Sequence, residues 1–259
     1  MRNERRLLAA LLGLVLLTAC GSGRTQADQE KDGTMLAGAM RTADQAGTGF
    51  NLDQQLMITG GDIPSGQAFQ LHATASGGVL RDGAARFGYR IQQGQHTNDY
   101  DMRVVDGRLY VRKRGASGWK ATPVGNTTTL FPALRLDVVR ETVLLASSVS
   151  TGGLGHVDAG FARKYAVRPA ADQVEQLLSI SVQGTAERQF LRSASAEVDV
   201  FLTVPDNKLG RVEVHVSGVD PSNGEQQQIQ SSLDLRPAKV TAVQAPVDAQ
   251  LVSPSDILA

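Results

Sequence analysis

Cys20 is the residue of this chain best suited to nucleophilic chemistry, because it is the only thiol in 259 residues. It follows a segment with three arginines among its first six residues and an apolar run of eleven residues over 7–17. Such a run fits the apolar region of a signal peptide and is too short to span a membrane, which takes about 20 residues. Residues 18 and 19 are small and leave room for a peptidase to approach the bond before the cysteine.

The sequence Leu17-Thr18-Ala19-Cys20 resembles a bacterial lipobox. In that family of signals the cysteine sulfur is lipidated, and cleavage before it makes the cysteine the mature N-terminus. The resemblance implies a signal peptide over 1–19 and a lipid anchor on Cys20, which would hold the chain at the extracytoplasmic face of the cell membrane. Two or three acyl chains such as palmitate anchor firmly, since each buried CH₂ contributes about 0.8 kcal/mol. A plain secretory signal with an incidental cysteine is the alternative.

The histidines, the acidic residues and the glycine patterns of the sequence form no recognisable catalytic or metal-binding site. The four histidines are far apart, and His72 and His215 lie on the polar phase of predicted strands, which favours a solvated face. Asp99 and Asp101 share one strand face and could bind calcium, but no third ligand is near in sequence. The GxSxG, GxGxxG and Walker patterns do not occur. We therefore predict no enzyme, no catalytic residue, no cofactor and no metal site.

Composition excludes several classes of partner and architecture. Lys plus Arg and Asp plus Glu both number 26, so the chain has no basic excess with which to bind a nucleic acid. One cysteine excludes a disulfide framework within the chain and a cysteine-based zinc cluster. Hydrophobic residues at 41% and charged residues at 20% are typical of a globular protein with one large domain or two small ones.

Helices are predicted where apolar residues recur at three or four positions. Residues 21–33 lack large apolar side chains, which predicts a flexible tether over 20–33 that starts at the lipidated Cys20. A first helix is expected over about 34–46 with Thr34 as its cap, and two more over about 133–149 and 170–180. A mixed-polarity segment over 185–196 has no assigned role, and 241–259 predict an irregular tail.

Strands are predicted where apolar residues alternate. Short turns join them, and Asp106-Gly107 is the clearest hairpin signal. Successive strands with short turns indicate an antiparallel meander rather than parallel βαβ units. The fold class is therefore α+β, with about eight to ten antiparallel strands and two or three helices that cover the apolar face of a sheet. The domain is expected over 34–240.

Twelve apolar residues of these elements are candidates for the lining of an apolar cavity. A closed core and an open cavity produce the same alternation, so the pattern alone does not separate them. The candidates are Phe50, Leu52, Leu56, Ile58, Phe69, Leu71, Phe87, Tyr89, Met102, Leu134, Val138 and Leu145.

Several motifs together resemble a known family. They are the hairpin sequence VVDGRLYV over 104–111, the Gly118-Trp119-Lys120 turn with Pro123, the strand Lys164–Val167 and the strand over 198–202. Their order, with the lipobox and a helix before the meander, resembles the actinobacterial LppX/LprA/LprF/LprG lipoproteins, which are LolA-like. The resemblance implies a half-barrel, in which a curved antiparallel sheet wraps around a layer of helices and encloses an apolar cavity.

Two functions follow as expectations. The resemblance implies an anchored lipoprotein that binds the acyl chains of a membrane lipid or glycolipid in an apolar cavity and carries or presents it, with an export transporter as a candidate partner. The alternative is a tethered, non-enzymatic binding module with a filled core, which recognises a protein or a cell-wall polymer. In the half-barrel that the resemblance implies, the 185–196 segment is either a gate over the cavity or an inserted surface helix.

Overall fold

The computed structural model describes residues 25–124, 136–170, 173–174, 177, 193–236, 242–253 and 256–258. The predicted signal peptide, Cys20, Leu134 and most of the segments over 170–180 and 185–196 lie outside them. No helix within these ranges is both long enough and apolar enough to cross a membrane.

Twelve strands and two helices make up the described structure. The helices are α1 (Gln26–Ala46) and α2 (Leu136–Leu145). The strands are β1 (Thr48–Thr59), β2 (Phe69–Val79), β3 (Ala85–Gln93), β4 (His96–Val105), β5 (Arg108–Lys113), β6 (Lys120–Pro123), β7 (Ser148–Val157), β8 (Gly160–Arg168), β9 (Ser195–Thr203), β10 (Leu209–Asp220), β11 (Glu225–Arg236) and β12 (Gln250–Leu251).

All twelve strands belong to one open, curved sheet in the order β12-β6-β5-β4-β3-β2-β1-β11-β10-β9-β8-β7. Each pair is antiparallel except β12, which runs parallel to β6. The pairing of β1 with β11 links the N-terminal meander to the C-terminal one. The predicted α+β half-barrel, a curved antiparallel sheet around a helical layer, is confirmed.

Helix α1 begins eight residues before the predicted position 34, within the predicted tether. Thr25 forms a capping box: its hydroxyl accepts from the amide of Asp28, and the Asp28 carboxylate accepts from the amide of Thr25. Such a box satisfies two free amides and starts a helix without apolar residues. Thr34, the predicted cap, lies inside the helix and its hydroxyl donates to the carbonyl of Glu30.

The two helices pack against each other and against one face of the sheet, which we call the inner face. Leu36 and Met40 of α1 and Val139 of α2 are fully buried in the core that this face forms. Helix α2 ends at Leu145, earlier than predicted, because β7 begins at Ser148. Residues 150–155 belong to β7, and the pairing of β7 with β8 is irregular between Thr151 and Leu154, where Gly152 and Gly153 lie.

The C-terminal tail is more ordered than predicted. Its strand β12 extends the sheet beside β6. Val243 packs on the other face of the sheet, the outer face, against a small cluster of Val105, Tyr110 and Ala121. Ile257 then reaches the inner core, where the hydroxyl of Tyr100 donates to the carbonyl of Leu258 at 2.8 Å. The tail therefore wraps around one edge of the sheet and covers both faces.

Gly77 lies inside β2, although glycine is unfavourable in the interior of a strand. On the inner face Gly77 is in register with Phe50 of β1 and Phe87 of β3. The two rings pack edge to face across the glycine with centroids 5.7 Å apart. A Cβ on Gly77 would approach the carbonyl oxygen of Arg86 to 2.2 Å. The missing side chain lets the two rings meet across β2.

Gly77→Ala should lower the free energy of unfolding by about 1–3 kcal/mol, because the added methyl group forces backbone apart in a packed core. Gly88→Ala is the matched control, since a Cβ on Gly88 meets no atom within 4 Å. It should leave stability unchanged or raise it slightly. Denaturant unfolding of both variants measures the difference, and equal stabilities would contradict this packing.

Candidate functional site

The inner face carries the predicted lining residues and is filled where the helices cover it. Phe50 and Leu52 of β1 are 1% and 2% exposed, and Met102 of β4 is fully buried. Tyr89 and Tyr100 are cross-strand partners with ring centroids 6.3 Å apart. This part of the sheet is a close-packed core rather than an open cavity.

The inner face is less buried at the C-terminal end of β1 and at the N-terminal end of β2, which lie side by side. Leu56 and Ile58 continue the phase of Phe50 and Leu52 but are only half-buried. Their cross-strand partners, Leu71 for Leu56 and Phe69 for Ile58, are half-buried too. On the other side Leu56 faces Ile229 of β11. We call these five residues (Leu56, Ile58, Phe69, Leu71 and Ile229) the apolar rim.

A cleft of about 910 Å³ opens at this end of the sheet. Three rim residues line it: Leu56, Phe69 and Leu71. The rest of the lining is mainly amide and imidazole side chains, including Gln70, His72 and several residues of the β3–β4 turn. The volume lies within the range of about 300–1,000 Å³ that is usual for small-molecule sites, and the lining combines apolar surface with groups that form hydrogen bonds.

The twelve candidate residues fall into four groups. Leu145 is 63% exposed on α2 and so faces solvent rather than the interior, and Leu134 lies outside the described residues. The half-buried group is Leu56, Ile58, Phe69 and Leu71. The buried group is Phe50, Leu52, Phe87, Tyr89, Met102 and Val138.

The outer face of β3–β5 carries charged side chains that form ion pairs with one another. Asp99 accepts from Arg90 at 2.7 Å, and Asp101 accepts from Arg112 at 2.8 Å. The hydrogen bond from Arg90 holds the pKa of Asp99 below its ordinary value. Each carboxylate of the Asp99–Asp101 pair thus faces an arginine, as expected of a surface strand rather than a calcium site.

A cluster on the outer face of β8–β10 has no counterpart in the sequence analysis. Asp199, Glu213 and His215 bring three possible ligand atoms within 4.8 Å of one another, and Lys164 contacts Asp199 at 2.6 Å. Asp199 and Glu213 are cross-strand partners fourteen positions apart in sequence. Only the register between β9 and β10 brings them together, so residue spacing along the chain gave no signal.

Comparison with known proteins gives structural likenesses alone. No protein-family model matches the chain, and no curated protein matches it. Lipoprotein LppX from Mycobacterium tuberculosis is similar at 10% identity and a TM-score of 0.41, over 80% of this chain and 94% of that one. LprF from Mycobacterium bovis is similar at 11% identity and a TM-score of 0.47, over 83% and 96%. A LolA-superfamily protein from Nitrosomonas europaea gives 9% and 0.26, over 79% and 94%.

The pKa of Tyr89 reports whether the inner core around its hydroxyl excludes water. Burial, with a smaller contribution from Tyr100, raises the pKa of Tyr89 from 10 to about 12. We expect the alkaline absorbance titration of the wild type minus that of Tyr89→Phe to show one tyrosine with a midpoint near 12.

Stability should follow the same shift in pKa. Below pH 10 Tyr89 is protonated in both states, and between about pH 10 and 12 only the unfolded chain loses the proton. Over this range the free energy of unfolding of both proteins is measured against pH. It should fall more steeply in the wild type than in Tyr89→Phe, by about 1.4 kcal/mol for each pH unit. A midpoint near 10 would instead mean that water fills the space beside Tyr89.

Proposed function

We propose that the chain is a membrane-anchored envelope lipoprotein that binds the acyl chains of a lipid or glycolipid at the apolar rim and carries or presents the lipid at the cell surface. The observation that carries the proposal is the incomplete burial of the rim. Leu56, Ile58, Phe69 and Leu71 lie on the phase that is fully buried earlier in the same sheet, yet they remain half-buried beside a cleft.

An acyl chain is the ligand that this chemistry suits best. Burial of apolar surface contributes roughly 25 cal/mol per Å², without directional demands on the ligand. A flexible hydrocarbon chain on the rim would complete the burial of all four side chains. The amides and imidazoles that also line the cleft would then form hydrogen bonds with the polar end of the lipid.

The anchor would keep the rim near its source of lipid. Gln26, the first residue of α1, is six positions after Cys20, and six residue steps of fully extended chain span at most about 21 Å. The domain would therefore remain close to the bilayer surface. Exchange between bilayer and rim would be an equilibrium process that needs no energy input, and an export transporter is the kind of partner that could receive the lipid.

The filled core beneath the helices favours a second candidate. Phe50, Leu52 and Met102 leave no room for a ligand where they pack. A tethered binding module with a filled core, which recognises a protein or cell-wall polymer, would need no more than this. The two candidates differ in one property, which is whether the rim takes up an acyl chain.

Leu71→Trp should weaken acyl-chain binding, because the larger indole fills the cleft beside Leu56 and Phe69. The purified chain without residues 1–20 is titrated with radiolabelled palmitate, and native mass spectrometry with solvent extraction identifies any lipid that copurifies. We expect near-stoichiometric binding by the wild type and at least a tenfold loss of affinity in Leu71→Trp, or about 1.4 kcal/mol.

Leu145→Trp is the matched control, since Leu145 is a leucine that is 63% exposed on α2. It should bind palmitate as the wild type does. A wild type that binds no lipid would favour the tethered module, and equal binding by all three proteins would rule out the rim as the acyl-chain site.

Cys20→Ala should release the chain from the membrane. Without the thiol there is no sulfur to acylate, so the protein should move from the membrane fraction to the medium or remain as the uncleaved precursor. Fractionation and immunoblotting measure the shift. A Cys20→Ala protein that is still membrane-bound after cleavage of the leader would rule out the lipid anchor.

A further inference from the structure

The outer face of β8, β9 and β10 holds a compact group of charged side chains opposite the inner core. Asp199 of β9 lies between Lys164 of β8 and the Glu213 and His215 side chains of β10. Its neighbours Val198 and Val200 point into the core, so Asp199 is on the solvent side of the sheet. Even so, only 3% of its side chain is exposed.

A carboxylate buried to this degree needs partners, because desolvation of an ion is costly unless it is paired and hydrogen-bonded. Oδ2 of Asp199 has the Lys164 ammonium at 2.6 Å. Oδ1 is also buried and has no hydrogen-bond partner among the described residues. The hydrogen bond to Asp199 is the main reason that the pKa of Lys164 is raised. One half of the buried carboxylate is thus left without a donor or cation.

The possible ligand atoms of Asp199, Glu213 and His215 all lie within 4.8 Å of one another. Nε2 of His215 is 4.0 Å from Oδ2 of Asp199 and 3.8 Å from Oε2 of Glu213. Ligand atoms of a tetrahedral zinc site with bonds of 2.0–2.2 Å are roughly 3.4 Å apart. The observed separations exceed this by about half an ångström, which the partly exposed side chains of Glu213 and His215 could close by small rotations.

Supporting contacts hold the ligands in this arrangement. Arg211 donates to Oε1 of Glu213 at 3.4 Å, which leaves Oε2 facing His215. Arg211 is itself fixed by two hydrogen bonds to Asp234, at 2.8 and 2.9 Å. Outer contacts of this kind orient the ligands of protein metal sites. His215 also lines a surface cleft of about 590 Å³, which gives a hydrated cation a path to the site.

We propose that Asp199, Glu213 and His215 form a binding site for a divalent transition-metal ion of the zinc type, with water as a fourth ligand. One imidazole and two carboxylates suit Zn²⁺ and similar ions, whereas Ca²⁺ takes six to eight oxygen ligands. The Lys164 ammonium occupies the same carboxylate and competes with the metal. The site is separate from the apolar rim and does not depend on lipid binding.

Calorimetric titration of the metal-stripped full chain with ZnCl₂ tests the proposal. Cys20→Ser is present in every variant, because a free thiolate would itself bind zinc. We expect one zinc ion per chain, at least a tenfold loss of affinity in His215→Ala and in Glu213→Gln, and tighter binding in Lys164→Met. Mg²⁺ should not compete at equal concentration.

His156→Ala is the matched control. His156 is an exposed histidine of β7 that belongs neither to the Asp199 cluster nor to the cleft beside the apolar rim. Its zinc affinity should equal that of the parent, and melting curves without metal verify that each variant folds. No zinc binding by the parent, or affinities unchanged in His215→Ala and Glu213→Gln, would overturn the proposal.

Discussion

The pairing of β1 with β11 is the constraint on which the rest of the structure depends. Eleven residue pairs, from Gly49 with Arg236 to Thr59 with Gln226, join segments that are far apart in sequence. This register places Phe50 opposite Leu235 and Leu56 opposite Ile229. A slip of one residue would move every apolar residue of β1 to the outer face, because successive side chains of a strand alternate between faces. The core and the rim would be lost together.

The sequence predicts the strands well where apolar residues alternate and a turn has a clear signal. The Asp106-Gly107 hairpin is the best case, since both residues adopt the positive φ angles that the turn requires. Prediction fails where a tertiary contact overrides the local signal. Glycine is unfavourable in the interior of a strand, yet Gly77 lies in β2 because the rings of Phe50 and Phe87 pack across it.

Helix α1 and the candidate sites illustrate the same limit. The Thr25 capping box starts the helix in residues whose polarity predicted a tether. Alternation identifies Leu56 and Leu52 as residues of one face, but it does not indicate that Leu52 is buried and Leu56 half-buried. That difference depends on how far along the sheet the core extends. The Asp199 cluster depends on strand register, which one sequence does not specify.

The two faces of the sheet differ in the chemistry that they offer. The inner face offers hydrocarbon contact without direction, and its rim is the one stretch of it that we propose to bind a ligand. The outer face offers paired charges, most of which neutralise each other, as Asp99 and Arg90 do. Asp199 differs because its carboxylate is buried, and only one of its two oxygens has a partner among the described residues. A single antiparallel sheet can therefore present two independent sites.

The central claim is that an acyl chain lies on the apolar rim, and photo-crosslinking tests it most directly. A fatty acid that carries a diazirine near the end of its chain is bound to the protein and irradiated, and the modified residues are located by mass spectrometry. The account predicts modification of β1 and β2 at Leu56, Phe69 or Leu71. Modification of exposed apolar residues elsewhere, such as Leu154 or Phe161, or no modification at all, would contradict it.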